Sequence, residues 1–331
     1  MKSVNPMNLR EKQQRYTQVP FWVKRLQYIL RNRWRALPTS HRYPLTNRAS
    51  ASRCKPLFII SAGRSGTTLL RSMLVAGGQI AIPQETQIIH GVAVKFATLQ
   101  HLQWEDLSSL VIASFERHHH FKLWETNLAP AYETVINLPE NERSLARVIE
   151  EVFMTYAAQR FPDAVTWGDQ SPIHTFYLPW IYRVFPEGRY LHLLRDGRDV
   201  ISSMVVRRGA DYLQHGTHRW LTSIDRVTQF RKQAKPEQFL EVRYEDLVSQ
   251  PEATLQQISQ FAGIEYTAAM LDYWKLPSTV EHKHLEFHRN IGKPVSTDSI
   301  GKWKERLTAE QQAYILAAIT PQLQQLGYLE S

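Results

Sequence analysis

Apolar positions along the chain fall into two regimes: short runs closed by glycine or charge, and longer stretches with an apolar residue every three or four positions. Leu57 to Ile60 ("LFII") is too short for a helix and too apolar for an exposed loop, which predicts an interior parallel strand. From Thr67 the spacing turns helical, through Leu69, Leu70, Met73 and Leu74. "AVTWGDQSP" (164–172) predicts a short strand with a polar exit, and an apolar helical stretch follows Pro172 through Phe185. "RYLHLLRD" (189–196) and "FLEVRYEDL" (239–247) read as two more strands. Helices are predicted over "RDVISSMVVRR" (198–208), over 212–235, and over "PEATLQQISQFAGI" (251–264) with its opening proline and closing glycine. A last helix starts after Thr308 as N-cap, with Ile315, Ile319, Leu323 and Leu326 facing inward. Residues 87–161 read as a mostly helical, aromatic-rich insert that walls a pocket. Strands alternating with helices predict an α/β fold: a central parallel sheet, helices on both faces, and a ligand site at the strands' carboxyl ends.

Length and composition sharpen this only a little. The chain has 331 residues, 43% of them hydrophobic, enough for one large core. Its single cysteine, Cys54, allows no internal disulfide and fits a reducing compartment. No run reaches the ~20 apolar residues of a membrane span, and no signal-peptide core stands out, so a cytoplasmic location is expected. Charge is more telling once located. The net charge is +9, yet residues 1–55 carry 13 Lys and Arg against one acid, leaving 27 bases and 30 acids in the rest. Residues 56–331 therefore read as one domain with no nucleic-acid partner, and residues 1–55 as a basic tail and linker. In "FWVKRLQYILRNRWRALP" (21–38) apolar and basic residues interleave at helical spacing. That pattern suits peripheral contact with an anionic membrane, and equally a helix packed on the domain with a solvated basic face.

The chemistry concentrates in two strand-turn-helix stretches. In "FIISAGRSGTTLLRSML" (58–74) Gly63 and Gly66 permit a tight turn, and the start of the helix aims the amides of residues 64–68 at one point. Arg64 adds a forked cation, Thr67 and Thr68 add hydroxyls, and the set suits a phosphate or sulfate group. The nucleoside-triphosphatase loop G-x-x-x-x-G-K-[ST] is not met, because Ser61 stands at its first glycine and Thr67 at its lysine. "LHLLRDGRDVISSMVVRR" repeats the logic, with Arg195 ending a strand, Gly197 turning the chain and Ser203 two turns into a helix. Asp196 and Asp199 are read as pairing partners that knit this turn. The three histidines 118–120 diverge on a helix and lack ligand spacing, so no metal is expected.

Together these stretches resemble the sulfotransferases that use 3′-phosphoadenosine 5′-phosphosulfate (PAPS), in particular the tyrosylprotein branch, over residues 57–329. The resemblance implies the three-layer, P-loop-like sulfotransferase fold. It implies that Arg64, Ser65, Gly66, Thr67 and Thr68 bind the phosphosulfate end, and that Arg195, Ser203 and Arg207 hold the 3′-phosphate. Tyr244 in "RYEDLV" and Lys302 in "IGKW" would lie at the cofactor. The branch's "ETR" setting matches "ETQ", which assigns Glu85 as general base with Gln84 or Thr86 orienting it. Two positions depart from the family. Gln170 in "DQSP" replaces a lysine that stabilises the transition state, and a serine before "KPV" is replaced by Phe287 or His288, leaving His288 or Lys293 as the donor there. The expected reaction is transfer of a sulfuryl group from PAPS to a hydroxyl, without a metal. Acceptors from protein tyrosine through carbohydrate and lipid to small alcohols stay open. An ATP-dependent small-molecule kinase and a non-catalytic nucleotide-binding regulator are the alternatives.

Overall fold

In the larger of two compact units, a five-stranded parallel sheet is built around the apolar run at residue 57. The computed structural model describes residues 42–46, 53–275 and 292–330, with Val23 and Leu26 besides. The basic stretch 21–38 otherwise lies outside the described residues, as does His288. The larger unit comprises 41–195 and 223–300, and the smaller comprises 1–40, 196–222 and 301–331.

The elements, in chain order, are β1 (Leu57–Ile60), α1 (Thr67–Ala76), β2 (Ile80–Ala81), α2 (Ile89–Thr98), α3 (Trp104–Glu116), α4 (Ala129–Ile136), α5 (Leu145–Arg160), β3 (Thr166–Asp169) and α6 (Leu178–Val184). They continue with β4 (Arg189–Leu194), α7 (Gly197–Arg208), α8 (Leu213–Arg231), β5 (Phe239–Arg243), α9 (Tyr244–Ser249), α10 (Pro251–Ala262), α11 (Trp303–Arg306) and α12 (Ala309–Gln325). No described helix is long and apolar enough to cross a membrane.

The sheet order is β2-β3-β1-β4-β5, with every pairing parallel. β1 sits centrally, all four residues buried, with Leu57 opposite Gly168 on one side and Arg189 on the other. Gly168 is required there, since a Cβ would lie 2.6 Å from the Leu57 carbonyl oxygen. The chain leaves β1 toward β3 and β2, then crosses back to β4. The carboxyl end of β1 is thus a topological switch point, where open α/β sheets hold ligands. Residues 87–161 are helical as expected, and Trp167 of β3 stacks on Phe153 of α5 at 4.2 Å between ring centroids. α10 begins at Pro251 and ends at Gly263 with φ of 70°, as its sequence signals imply. One expectation needs correction: the strand predicted over 239–247 stops at Arg243. Glu245 and Asp246 fall in the first turn of α9, where the helix dipole favours acids.

In the smaller unit, Gly197 lets α7 start against Trp220, whose ring would lie 2.6 Å from an added Cβ. Buried Asp199 accepts the backbone amides of Gly301 (2.8 Å) and Trp303 (3.0 Å). Asp196 caps α7 and pairs with Arg198, whose guanidinium lies over the Trp303 ring. Thr308 and Gln311 form a reciprocal capping box for α12. Ile315, Ile319 and Leu323 are buried as expected, whereas Leu326 is half-buried and terminates the helix.

Candidate active site

The exit of β1 is pinned before the loop begins. Ser61 donates its amide to Thr175 Oγ1, and the Thr175 hydroxyl donates back to the Ser61 carbonyl, both at 2.9 Å. The tight turn then uses left-handed backbone at Arg64 (φ 78°) and Gly66 (φ 99°), so Gly66 and a non-glycine carry the turn and Gly63 does not. Gly66 opens α1 with no side-chain cap and no acid in the first turn. The amides and positive end of that helix are left for an outside anion.

Tyr244 covers this glycine. A Cβ on Gly66 would lie 2.5 Å from two carbons of the Tyr244 ring. The Tyr244 hydroxyl and Ser299 Oγ are 2.7 Å apart, and the Arg195 guanidinium sits 4.2 Å from the ring centroid on its face. Arg195 donates to the carbonyls of Arg64 (3.2 Å) and Ser299 (2.8 Å), while its buried Nε has no partner among the described residues. Within the larger unit, then, Arg64, Ser65, Gly66, Thr67, Thr68, Arg195 and Tyr244 belong to one constellation.

Glu85 reaches the same end of the sheet by a route that involves α1. The buried guanidinium of Arg71 donates through Nε to the carbonyls of Ile82 (2.6 Å) and Pro83 (3.2 Å), fixing the segment that leads to Glu85. Burial pushes the Glu85 carboxyl above the ordinary carboxylate range, against the opposing bond from Gln87 Nε2 to Oε2 at 2.6 Å. His120 Nδ1 lies 3.1 Å from the Glu85 carbonyl oxygen. Neither expected orienting neighbour touches the Glu85 carboxylate directly: Gln84 gives its carbonyl to Trp124 Nε1, and the Thr86 hydroxyl donates to Asp169 at 2.6 Å. The actual contact is Gln87, whose φ of 55° folds the chain back over Glu85.

Asp169, at the end of β3, escaped the sequence reading. Burial raises its proton affinity, but His174, Thr86 and the Ser171 amide outweigh that and hold it below the usual range. Next to it, Gln170 is 1% exposed and its Oε1 has no partner among the described residues. Beside Gln87, between α2 and α3, opens a cavity of about 510 Å³ with apolar Ile88, Val92, Leu110 and Ala113 and the cations Lys95 and Arg117. The histidines 118–120 do not diverge on a helix: they lie in the turn after α3 with ring centroids 4.0–5.3 Å apart, and burial with its two neighbours lowers His118 to about 4. Among the described residues no His, Cys, Asp and Glu group is arranged to hold a metal.

The remaining predicted residues belong to other segments of the chain. Ser203 and Arg207 are on α7 and Lys302 precedes α11, all in the smaller unit, where Lys302 pairs with Glu305 at 2.9 Å. Lys293, in the larger unit, receives the Tyr273 hydroxyl on its carbonyl.

A family model for the sulfotransferase family matches residues 56–268. Protein-tyrosine sulfotransferase A of Caenorhabditis elegans is 25% identical over 282 residues, covering 82% of this chain and 67% of that protein. The omega-hydroxy-beta-dihydromenaquinone-9 sulfotransferase of Mycobacterium tuberculosis is 23% identical over 256 residues, 63% of each chain. In fold, the chain is similar to the sulfotransferase domain of the Synechococcus PCC 7002 olefin synthase. The TM-score is 0.56 at 20% identity, over 85% of this chain and 97% of that one.

Proposed function

The chain belongs to the sulfotransferase family, and on that premise we propose that it moves a sulfuryl group from PAPS to an acceptor hydroxyl, with Glu85 taking the acceptor proton. The observation that carries this reading is the uncapped start of α1 at Gly66, roofed by Tyr244 at the switch point of the sheet. The residues suit the donor. Gly66 lets the Tyr244 ring close over the turn, where a Cβ would lie 2.5 Å from it, and Arg195 keeps a buried N–H for an anion. We assign the loop 64–68 to the phosphosulfate and Arg195 with Tyr244 to the nucleotide. From the motif alone, we assign Ser203, Arg207 and Lys302 to its 3′-phosphate side.

Sulfuryl transfer forms a bond from the acceptor oxygen to sulfur and breaks the bond from sulfur to the bridging phosphate oxygen. The acceptor proton goes to Glu85, whose raised proton affinity matches a general base better than an ordinary exposed carboxylate would. Loop amides and the helix dipole offset charge on the leaving phosphate. Gln170 offers an amide donor in place of a lysine, supplying direction without charge. We place the acceptor in the cavity beside Gln87, where apolar walls and the cations Lys95 and Arg117 suit an apolar body with an acidic group near its hydroxyl. Phenolic and lipid hydroxyls, named for the two curated relatives, bracket the acceptor chemistry. We place the reaction in the cytoplasm, in keeping with the lone cysteine.

Labelled-sulfate transfer from PAPS to a panel of hydroxyl compounds tests the reading directly. Adenosine 3′,5′-bisphosphate should raise the melting temperature and ATP with magnesium should not. Stabilisation by ATP alone would favour a kinase, and bisphosphate binding without transfer to any acceptor would favour a regulator.

A further inference from the structure

We propose that Asp169 and His174 form a buried dyad that positions Glu85 through the Thr86 hydroxyl, and are positioning residues for the reaction. This rests on the reading of Glu85 as the base. The Asp169 carboxylate sits at the end of β3, 2% exposed, and gathers groups from three segments. Thr86, next to Glu85 in the chain, donates to Oδ2 at 2.6 Å. Ser171 donates its amide to Oδ1 (2.9 Å) and its hydroxyl to Oδ2 (3.1 Å). His174 Nδ1 lies 2.8 Å from Oδ1. Ser171 also accepts the Gln87 amide at 3.1 Å, so the two residues that follow Glu85 are tied to the same carboxylate, one directly and one through a hydroxyl.

This arrangement exceeds what fold stability asks of a buried aspartate. A carboxylate that ends a strand needs partners, but two or three backbone amides would satisfy it. Asp169 instead bridges the segment carrying Glu85 to the strand end carrying Gln170. The short helical turn holding His174 is itself locked to the phosphate loop through the Thr175 and Ser61 bonds. Base, Gln170 and anion cradle are thereby held in one hydrogen-bonded frame. His174 Nε2 is buried and has no partner among the described residues, which leaves the ring to serve Asp169. Three residues separate Gln170 from His174, so the turn after β3 supplies both the substituted position and the dyad.

The dyad also sets charge near the base. The groups facing Glu85 are Gln87 from its own segment, His120 from the turn after α3, Asp169 from β3 and His174 from the following turn. The groups facing the dyad are His90 of α2, whose ring centroid lies 6.1 Å from that of His174, and His118, which feels the Asp169 charge. Asp169 raises the proton affinity of Glu85 and His174 lowers it. Removing the Asp169 charge therefore moves the acid limb of the rate profile to lower pH, and replacing His174 moves it to higher pH. A purely structural contribution would move neither in a charge-dependent direction.

The test compares full-length wild type with Thr86→Val, Asp169→Asn and His174→Gln, measuring kcat, bisphosphate-induced stabilisation and kcat/KM against pH. Thr86→Val should lower kcat at least tenfold while bisphosphate affinity stays within twofold, and the two dyad variants should shift the acid limb in opposite directions. Wild-type kcat in Thr86→Val, or acid limbs that move together or not at all, would overturn the proposal. Where a dyad variant does not fold, Thr86→Val, which removes a single hydroxyl, decides alone. Absence of transfer by the wild type would instead defeat the sulfotransferase reading of the site, an outcome separable from failure of the dyad.

Discussion

Replacing Gly66 by alanine strikes the phosphate cradle at its tightest point. The new Cβ would stand 2.5 Å from Tyr244 Cδ2 and Cε2, about an ångström inside ordinary contact, on a backbone with φ of 99°. The backbone term costs about 1–2 kcal/mol for a residue that is not glycine. Relieving the clash means moving a ring that is 6% exposed, and with it two interactions. The hydroxyl bond to Ser299 (2.7 Å) contributes about 0.5–1.5 kcal/mol, and the Arg195 stacking at 4.2 Å about 0.5–2 kcal/mol. The expected loss is therefore about 2–5 kcal/mol, read from urea unfolding of Gly66→Ala against wild type. Repeating the substitution in a Tyr244→Ala background isolates the steric part. There the ring is gone and the loss should fall to the backbone term alone, about 1–2 kcal/mol. Equal losses in both backgrounds would refute the claim that Tyr244 is what forbids a side chain at position 66.

Glu85→Gln should cut transfer at least ~10²-fold while leaving bisphosphate binding intact, since it removes the base and not the cradle. Because burial raises the Glu85 proton affinity and the base must be unprotonated, activity should fall as pH drops through a value above the ordinary carboxylate range. A kcat/KM profile with its acid limb at ~4.3 or lower would contradict this. Arg147→Ala should destabilise by about 3–5 kcal/mol, because it strips the buried cation from Glu150 (3.1 Å) and Glu151 (2.8 Å) and leaves only the half-exposed Arg53 on Glu151. Thermal and denaturant unfolding measure it, and a loss under ~1 kcal/mol would mean that water reaches the cluster. Asp199→Ala should cost about 1–3 kcal/mol by stranding the Gly301 and Trp303 amides, with an unchanged melting temperature as the contrary result.

Much of the scaffold could be read from residue order, because its signals are local. The run at Leu57, the glycine at 66 and the helical spacing after Thr67 act over a few residues each, and the structure places β1, loop and α1 accordingly. The same holds for Pro251 and Gly263 around α10. The end of β5 is harder to place, because the apolar pattern runs on through Leu247 and only the acids at 245 and 246 mark the change to helix. Gln87, Asp169, His174, Arg71 and Ser299 acquire their parts through bonds between segments distant in the chain or through a backbone reversal, which no periodicity encodes. Two of them did leave a trace. A carboxylate closing the otherwise apolar "TWGD" and an arginine within "LLRSML" are charges in buried elements, and such charges are costly unless partnered. Searching for those partners leads from Asp169 to Thr86 and from Arg71 to the turn before Glu85.

The central place of β1 bears on how the protein is made. Its flanking strands begin only at Thr166 and Arg189, with the helical insert emerging in between. At about 5–20 residues per second of synthesis, the greasy tetrad at Leu57 waits some ~5–20 s on the ribosome before either neighbour exists. Nascent chains halted short of β3 should therefore be the ones that chaperones hold and proteases cut, whereas chains released after β4 can zip the sheet shut around a strand that has been ready since the start.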